Sequence, residues 1–303
     1  MQKIIRLLLI SSVALLSFPA ISQTVIIDNM EYKIKNPQTL AGKAFYDFTY
    51  LKDTTQPEHP YKEIYELDFG KTQSMFISYS QKTNDSAMAA DMMSQAKTAP
   101  DPNHYDLTMR SSSFISMDKY FTDNTAVSVY TLKPLSSALF YIKDTQPKID
   151  WKILDSTKNI KGSLCQKAAG ESHGRAYTAW FCSDLPYSFG PRKLNGLPGL
   201  ILEAYDEKRE VVYTLRRIEK TATGYIGLPD DAMPATEEEY AKALEAFHKN
   251  PAAFRSAHPG GGKSIKSAMD NIDPAKIKSI SVVKESPYGK DVRLKENNPI
   301  DLK

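Results

Sequence analysis

From Ser113 onward, aromatic and β-branched residues come in short runs: Ser113 to Asp118, Ala126 to Lys133, Ser137 to Lys143, Ile149 to Leu154, Cys165 to Ala169 and Ala176 to Cys182. Turn residues separate them at intervals of about ten residues, the spacing of a sandwich, a barrel or a curved antiparallel sheet. The same signal appears earlier. Tyr46, Phe48 and Tyr50 alternate with Asp47 and Thr49, and Glu63 to Phe69 followed by Ser74 to Ser80 reads as a hairpin across Gly70-Lys71-Thr72. Past residue 199, Leu200 to Asp206 and Val211 to Glu219 flank the charged Glu207-Lys208-Arg209-Glu210, a further hairpin.

Helices are few. Met88 to Lys97 reads as a short helix or a mobile segment ending before Pro100. A second helix is better specified: Thr236 as N-cap and Glu239 three residues on form a capping box, and Glu237 and Glu238 face the positive end of the helix dipole. Tyr240, Leu244, Phe247 and His248 recur at helical spacing, giving one apolar face to pack on a sheet, and Pro251 stops the helix near Lys249. His258 to Lys266, rich in Gly, Ser and Lys, reads as a mobile loop, and Ser279 to Lys284 as a last strand. The expected fold is mainly β with a minor α component: a curved antiparallel sheet or open barrel with at least one packed helix.

The first 22 residues combine basic Lys3 and Arg6, an apolar run Leu7 to Leu16 and a small-residue pattern Ala20-Ile21-Ser22, the parts of a secretory signal peptide cleaved before Gln23. The rival reading, a membrane anchor, needs roughly 20 apolar residues, far more than the run supplies. The expectation is a periplasmic or secreted protein without a transmembrane segment, in which 23–303 form one β-rich domain with a helical insertion near 236–249. The formal charge of +3 includes Lys3 and Arg6, so about +1 remains after cleavage. A nucleic-acid partner calls for a concentrated basic face, which is missing.

The chain contains two cysteines. With His173-Gly174 as a two-residue turn, Ser172 faces Arg175, and stepping outward brings Cys165 opposite Cys182 at a non-hydrogen-bonded pair, where Cα atoms approach to about 4.5 Å. In an exported chain that geometry predicts a Cys165–Cys182 disulfide; the alternative is two unpaired buried thiols.

Between Trp180 and Ile201, Pro186, Gly190, Pro191, Gly196, Pro198 and Gly199 punctuate an aromatic and aliphatic run. Such density implies a loop of fixed shape entering a strand. Leu197-Pro198-Gly199-Leu200 fits a type II turn, with Gly199 supplying positive φ, so Gly196, Pro198 and Gly199 read as structural. Tyr187, Phe189, Arg192 and Lys193 on the preceding loop have the composition of a preformed recognition surface.

The Gly-Leu-Pro-Gly-Leu-Ile sequence at 196–201, preceded by Ala179-Trp180-Phe181 and Phe189-Gly190-Pro191, closely resembles the GLPGLI family of exported bacterial proteins, for which no biochemical activity is established. The resemblance is close over 165–206 and looser elsewhere, and it includes the closing Asn297-Asn298-Pro299-Ile300. Cys182 departs from it, standing where relatives commonly carry a residue such as threonine.

Three constellations look like chemistry. Gly170-Glu171-Ser172-His173-Gly174 matches the Gly-x-Ser-x-Gly nucleophile elbow, but a strand-like segment follows where the elbow requires a helix. Ser172 is thus a weak catalytic candidate, with Asp206 and His248 as conceivable partners. Gly260-Gly261-Gly262-Lys263-Ser264 resembles a phosphate-binding loop, yet Ala257 occupies the position of the required first glycine. The five histidines, at 59, 104, 173, 248 and 258, never fall at a short metal-ligand spacing. No cofactor is expected. The functional expectation is a non-enzymatic carrier or accessory protein of the envelope. Its partner would be an envelope protein or an apolar ligand, held in a cavity framed by the sheet and the helix at 237–249. The alternative is a secreted hydrolase using Ser172 or a histidine-assembled metal site.

Overall fold

The computed structural model describes residues 24–27, 30–112, 118–136, 138–146, 148–220, 223–259, 263–264, 272–285, 288 and 292–302. The leader expected at 1–22, most of the strand expected at Ser113 to Asp118 and the Gly260–Gly262 loop lie outside them.

In chain order the strands are β1 (Thr24–Ile27), β2 (Met30–Thr39), β3 (Gly42–Tyr50), β4 (Tyr61–Phe69), β5 (Gln73–Ser78), β6 (Tyr105–Ser112), β7 (Lys119–Asp123), β8 (Ser128–Leu135) and β9 (Ala138–Lys143). Then come β10 (Lys152–Ile160), β11 (Ser163–Ser172), β12 (Arg175–Cys182), β13 (Leu200–Asp206), β14 (Val211–Glu219), β15 (Tyr225–Pro229), β16 (Met233–Pro234), β17 (Lys263–Ser264) and β18 (Ile277–Glu285). The helices are α1 (Tyr79–Thr98), α2 (Glu237–Lys249) and α3 (Pro251–Ala257).

Twelve strands form one sheet in the order β10-β11-β12-β13-β14-β3-β4-β5-β7-β8-β9-β16, antiparallel throughout except where β16 runs parallel to β9. The sheet is open, with β10 at one edge and β16 at the other. One face carries the main core, in which Tyr46, Phe48, Leu67, Phe76 and Tyr213 from neighbouring strands pack at period two. The other face is covered differently along its length. Tyr32 of β2, Leu40 just after it and Ile226 of β15 pack on Met75, Phe121 and Leu132, and α1 lies against β4 and β6.

That second face also holds a buried carboxyl pair on β4. Lys43 Nζ lies 2.9 Å from Asp68 Oδ1 and also bonds Glu66. Burial, helped by the neighbouring Glu66 charge, pushes the Asp68 carboxyl up to about 7.

The sequence reading holds for β13 and β14 and for the capping box of α2, where Thr236 and Glu239 cap each other's backbone N–H groups. It needs correction for the start of the first helix. α1 starts nine residues before Met88, at Tyr79, because Ser78 caps it by accepting from Gln81 N at 2.9 Å. α2 keeps its expected bounds and apolar stripe and packs on Phe140 of β9 and on Phe254, away from the main core, with no residue of its own fully buried. Lys263–Ser264, expected within a mobile loop, pair with β2.

Candidate functional site: a cavity walled by the C-terminal strap

The hairpin of β11 and β12 turns at His173 (φ 50°) and Gly174 (φ 76°), with Ser172 opposite Arg175, so the Gly-x-Ser-x-Gly match is a two-residue turn. Gly170 serves packing, since a Cβ there would stand 2.7 Å from the Trp151 ring. Ser172 does meet a histidine and an acid, though not the expected ones. Its Oγ lies 2.8 Å from His173 Nδ1, and His173 Nε2 lies 2.9 Å from both carboxylate oxygens of Asp144. The network assigns the tautomer: Nε2–H donates to Asp144, and Nδ1 accepts the serine hydroxyl. Asp206 instead accepts from Arg175 at 2.6 Å, and His248 is exposed on α2.

This Ser–His–Asp order is locked. Lys193 Nζ sits 2.8 Å from Asp144 and 3.4 Å from His173 Nε2, so an imidazolium formed by proton uptake from Ser172 would face a cation. Burial works to raise the Asp144 carboxyl, but the bonds from His173 and Lys193 outweigh it and hold the group well below the usual carboxylate range. Ser172 and His173 are 7% and 6% exposed and line neither the cavity below nor the shallower depression beside the turn.

What the turn holds is residues 292–302, a strap laid across the main face of the sheet. Leu302 N donates to His173 O at 2.9 Å. Arg175 donates to Asn298 Oδ1 (2.7 Å), Pro299 O (2.8 Å) and Ile300 O (3.2 Å). Asn298 Nδ2 reaches Leu51 O at 2.8 Å, and the Tyr50 hydroxyl donates to Asn298 O. Asp301 accepts both terminal nitrogens of Arg192 and, at 3.0 Å, Lys193. The Asn-Asn-Pro-Ile end and the loop before the Gly-Leu-Pro-Gly-Leu-Ile segment therefore meet, through side chains more than 100 residues apart in sequence.

That loop is core rather than surface, which corrects the expected recognition patch. Phe189 is fully buried, Tyr187 packs on Phe69 with ring centres 4.7 Å apart, and Arg192 and Lys193 are spent on Asp301 and Asp144. The type II turn is corrected too. Gly199 N bonds Leu197 O at 2.8 Å, a three-residue turn about Pro198, and positive φ belongs to Gly196 (91°). Gly199 is required by space: a Cβ would lie 2.3 Å from Cys182 O. Pro198 fixes the bend between them.

The expected disulfide is absent. The register Ser172↔Arg175 through Gln166↔Phe181 places Cys165 and Cys182 one step further, as derived, but both are free buried thiols, and burial pushes the Cys165 thiol up to about 12.

Beneath the strap the sheet leaves a cavity of about 720 Å³. Its floor is aromatic, from Phe48 and Tyr50 on β3, Tyr61 and Tyr65 on β4, Phe76 on β5, Tyr120 on β7 and Tyr213 on β14. Its wall is Leu294, Pro299 and Ile300 of the strap, with Arg192 stacked over Tyr120 at 4.9 Å. Among the described residues, the hydroxyls of Tyr65, Tyr120 and Tyr213 make no hydrogen bond, and none of the three is sealed from solvent. Burial raises the Tyr65 and Tyr213 phenols well above their ordinary range, so they stay neutral, able to donate and accept. The helix expected to frame a cavity, α2, takes no part in this one. Sequence reasoning missed these tyrosines as a group, although their period-two spacing on β3 and β4 carried the signal.

Among the described residues no group of three histidine, cysteine or acidic side chains is placed to hold a metal ion, and no helix is long and apolar enough to cross a membrane.

Residues 170–203 match the profile of a family described as "Protein of unknown function (Porph_ging)". They cover the β11–β12 turn, β12, the loop and the hexapeptide, and the match bears out the GLPGLI resemblance. No curated protein is significantly similar to the chain. Two structures of PNGF-II, in space groups P21 and C2, are each 14% identical, with TM-scores of 0.45 and 0.42 over 68% and 69% of this chain. The chain spans about a third of their length (32% and 33%), and a likeness that loose carries no argument about function.

Proposed function

We propose that this chain is an exported, non-enzymatic binding protein that holds a small ligand in the aromatic cavity under the strap. Export rests on the tripartite N-terminal segment, and binding rests on the cavity. The cavity, about 720 Å³, falls in the size range of small-molecule sites, and among the described residues the hydroxyls of Tyr65, Tyr120 and Tyr213 that face it make no hydrogen bond. The strap is a fixed wall rather than an accessory, because Arg175, Arg192, Lys193 and Tyr50 all anchor it. Native mass spectrometry of the protein purified from its own envelope, beside an Ile300→Trp variant that fills the cavity, tests this. A bound small molecule present in the first and lost in the second supports the reading; two bare proteins of equal mass balance would end it.

The hydrolase reading gains one specific observation, the Ser172–His173–Asp144 hydrogen-bond chain. Against it stand burial and the Lys193 cation. A fluorophosphonate probe is expected to leave the folded protein unlabelled, and Ser172→Ala to cost about 1 kcal/mol of stability as a lost hydrogen bond. Labelling that disappears in Ser172→Ala would instead make Ser172 a nucleophile.

A further inference from the structure

Building on the cavity as a binding site, we infer that its ligand is a neutral saccharide. Charge argues first. The lining carries three cations, Lys52, Arg192 and Arg293, and three anions, Asp118, Glu296 and Asp301. Two of these pairs are closed within the protein: Lys52 bonds Glu296 at 3.1 Å, and Arg192 grips Asp301 with both terminal nitrogens. An ionic guest would therefore enter a site with no net charge to offset its desolvation.

The aromatic floor argues next. Tyr65 stacks on Phe76 with centres 4.7 Å apart and planes 4° from parallel, and Phe48 stacks on Tyr213 at 4.7 Å and 22°. One face of each ring is taken by its neighbour, and an aromatic hydrocarbon laid against what remains offers the phenol hydroxyls no partner. An aliphatic chain fits the apolar atoms but would strand the hydroxyls of Tyr65, Tyr120 and Tyr213, each at a cost of about 1–3 kcal/mol. A pyranose meets both demands. Its C–H faces lie against ring surface while its hydroxyls, set around the same ring, pair with neutral phenols that act as donors or acceptors as needed. The volume, about 720 Å³, is that of a site for a drug-sized ligand, which suits a short oligosaccharide rather than one sugar.

The test is calorimetric titration of the full chain with maltotriose, cellotriose and chitotriose, with palmitate and phenyl phosphate as the apolar and anionic comparisons. Three proteins are compared: wild type, Tyr65→Phe, and the double variant Tyr120→Phe/Tyr213→Phe. Thermal melting accompanies each titration, and Tyr65→Phe carries the test if the double variant does not fold. At least one trisaccharide is expected to bind, with about a tenfold loss for each good hydroxyl contact removed and with melting unchanged or raised. Binding that survives undiminished in both Phe variants overturns the inference. So does palmitate or phenyl phosphate binding while every trisaccharide fails up to about 10 mM; the cavity reading then stands and the saccharide falls. If none of the five binds, both fall together.

Discussion

Two buried polar regions lie side by side on the main face of the sheet, and they treat their polar atoms in opposite ways. Around the β11–β12 turn, the groups of Ser172, His173, Asp144, Arg175, Lys193 and Asp301 point at one another and at strap carbonyls, within hydrogen-bonding distance. In the cavity next to it, Tyr65 and Tyr213 are held by stacking and Tyr120 lies under Arg192, and among the described residues the three hydroxyls make no hydrogen bond. The first arrangement resembles catalysis in its residue types and is scaffold in its geometry. The second carries no catalytic motif, yet it is the region with unmet chemistry. Residue type alone misleads here; what separates scaffold from site is whether the hydrogen-bonding capacity is already used.

The contrast makes graded predictions. Arg175→Met should have the largest effect, about 3–5 kcal/mol by guanidinium unfolding, because it leaves buried Asp206 without its cation and removes one hydrogen bond to Asn298 and two to strap carbonyls. A loss below about 1 kcal/mol would mean that the strap is not held by this residue. Next, Gly199→Ala should cost about 1–3 kcal/mol, since its Cβ would strike the Cys182 backbone. Gly196→Ala, with open space but φ at 91°, should cost about 1 kcal/mol. The reverse order would restore a left-handed role to Gly199.

The β4 carboxyl pair tests whether a buried polar group off this face behaves as scaffold too. Its folded Asp68 carboxyl titrates at about 7, against about 3.9 for an unfolded aspartate. The stability it contributes is fully present below about pH 4 and is lost as pH rises through about 7. Melting temperature should accordingly fall across that window in wild type, and fall less in Asp68→Asn. Smallest of all, Tyr213→Phe should change stability by under about 0.5 kcal/mol, because among the described residues its hydroxyl has no hydrogen-bond partner to lose. A substantial loss would show that the phenol is scaffold and that the two regions are alike.

Local signals in the sequence were legible where local physics decides. Thr236 with Glu239 set the start of α2, the turn residues His173-Gly174 set the β11–β12 register, and alternation set β13 and β14. What escaped was decided by distant chain. Phe189 and Arg192 have the composition of a binding loop, and nothing in the loop says that residues 292–302 will cover it. Gly199 was read through φ, the local variable, while its real constraint is the Cys182 carbonyl across the strand entry. Asp144 could not be picked out as the partner of His173, because 29 residues separate them and only the sheet brings them together. The β11–β12 pairing stops at Gln166↔Phe181, one step short of the two cysteines, and register does not decide whether two thiols are joined.

The strap also sets an order of events. Tyr50 and the backbone of Asn298, which it bonds, stand 248 positions apart. An emerging chain can pair β3, β4 and β5 early, but the cavity over them gains its wall only when residues 292–302 arrive. Contacts of such long span close late and slowly. The cavity therefore exists only in the fully folded chain, and no early hairpin can offer it.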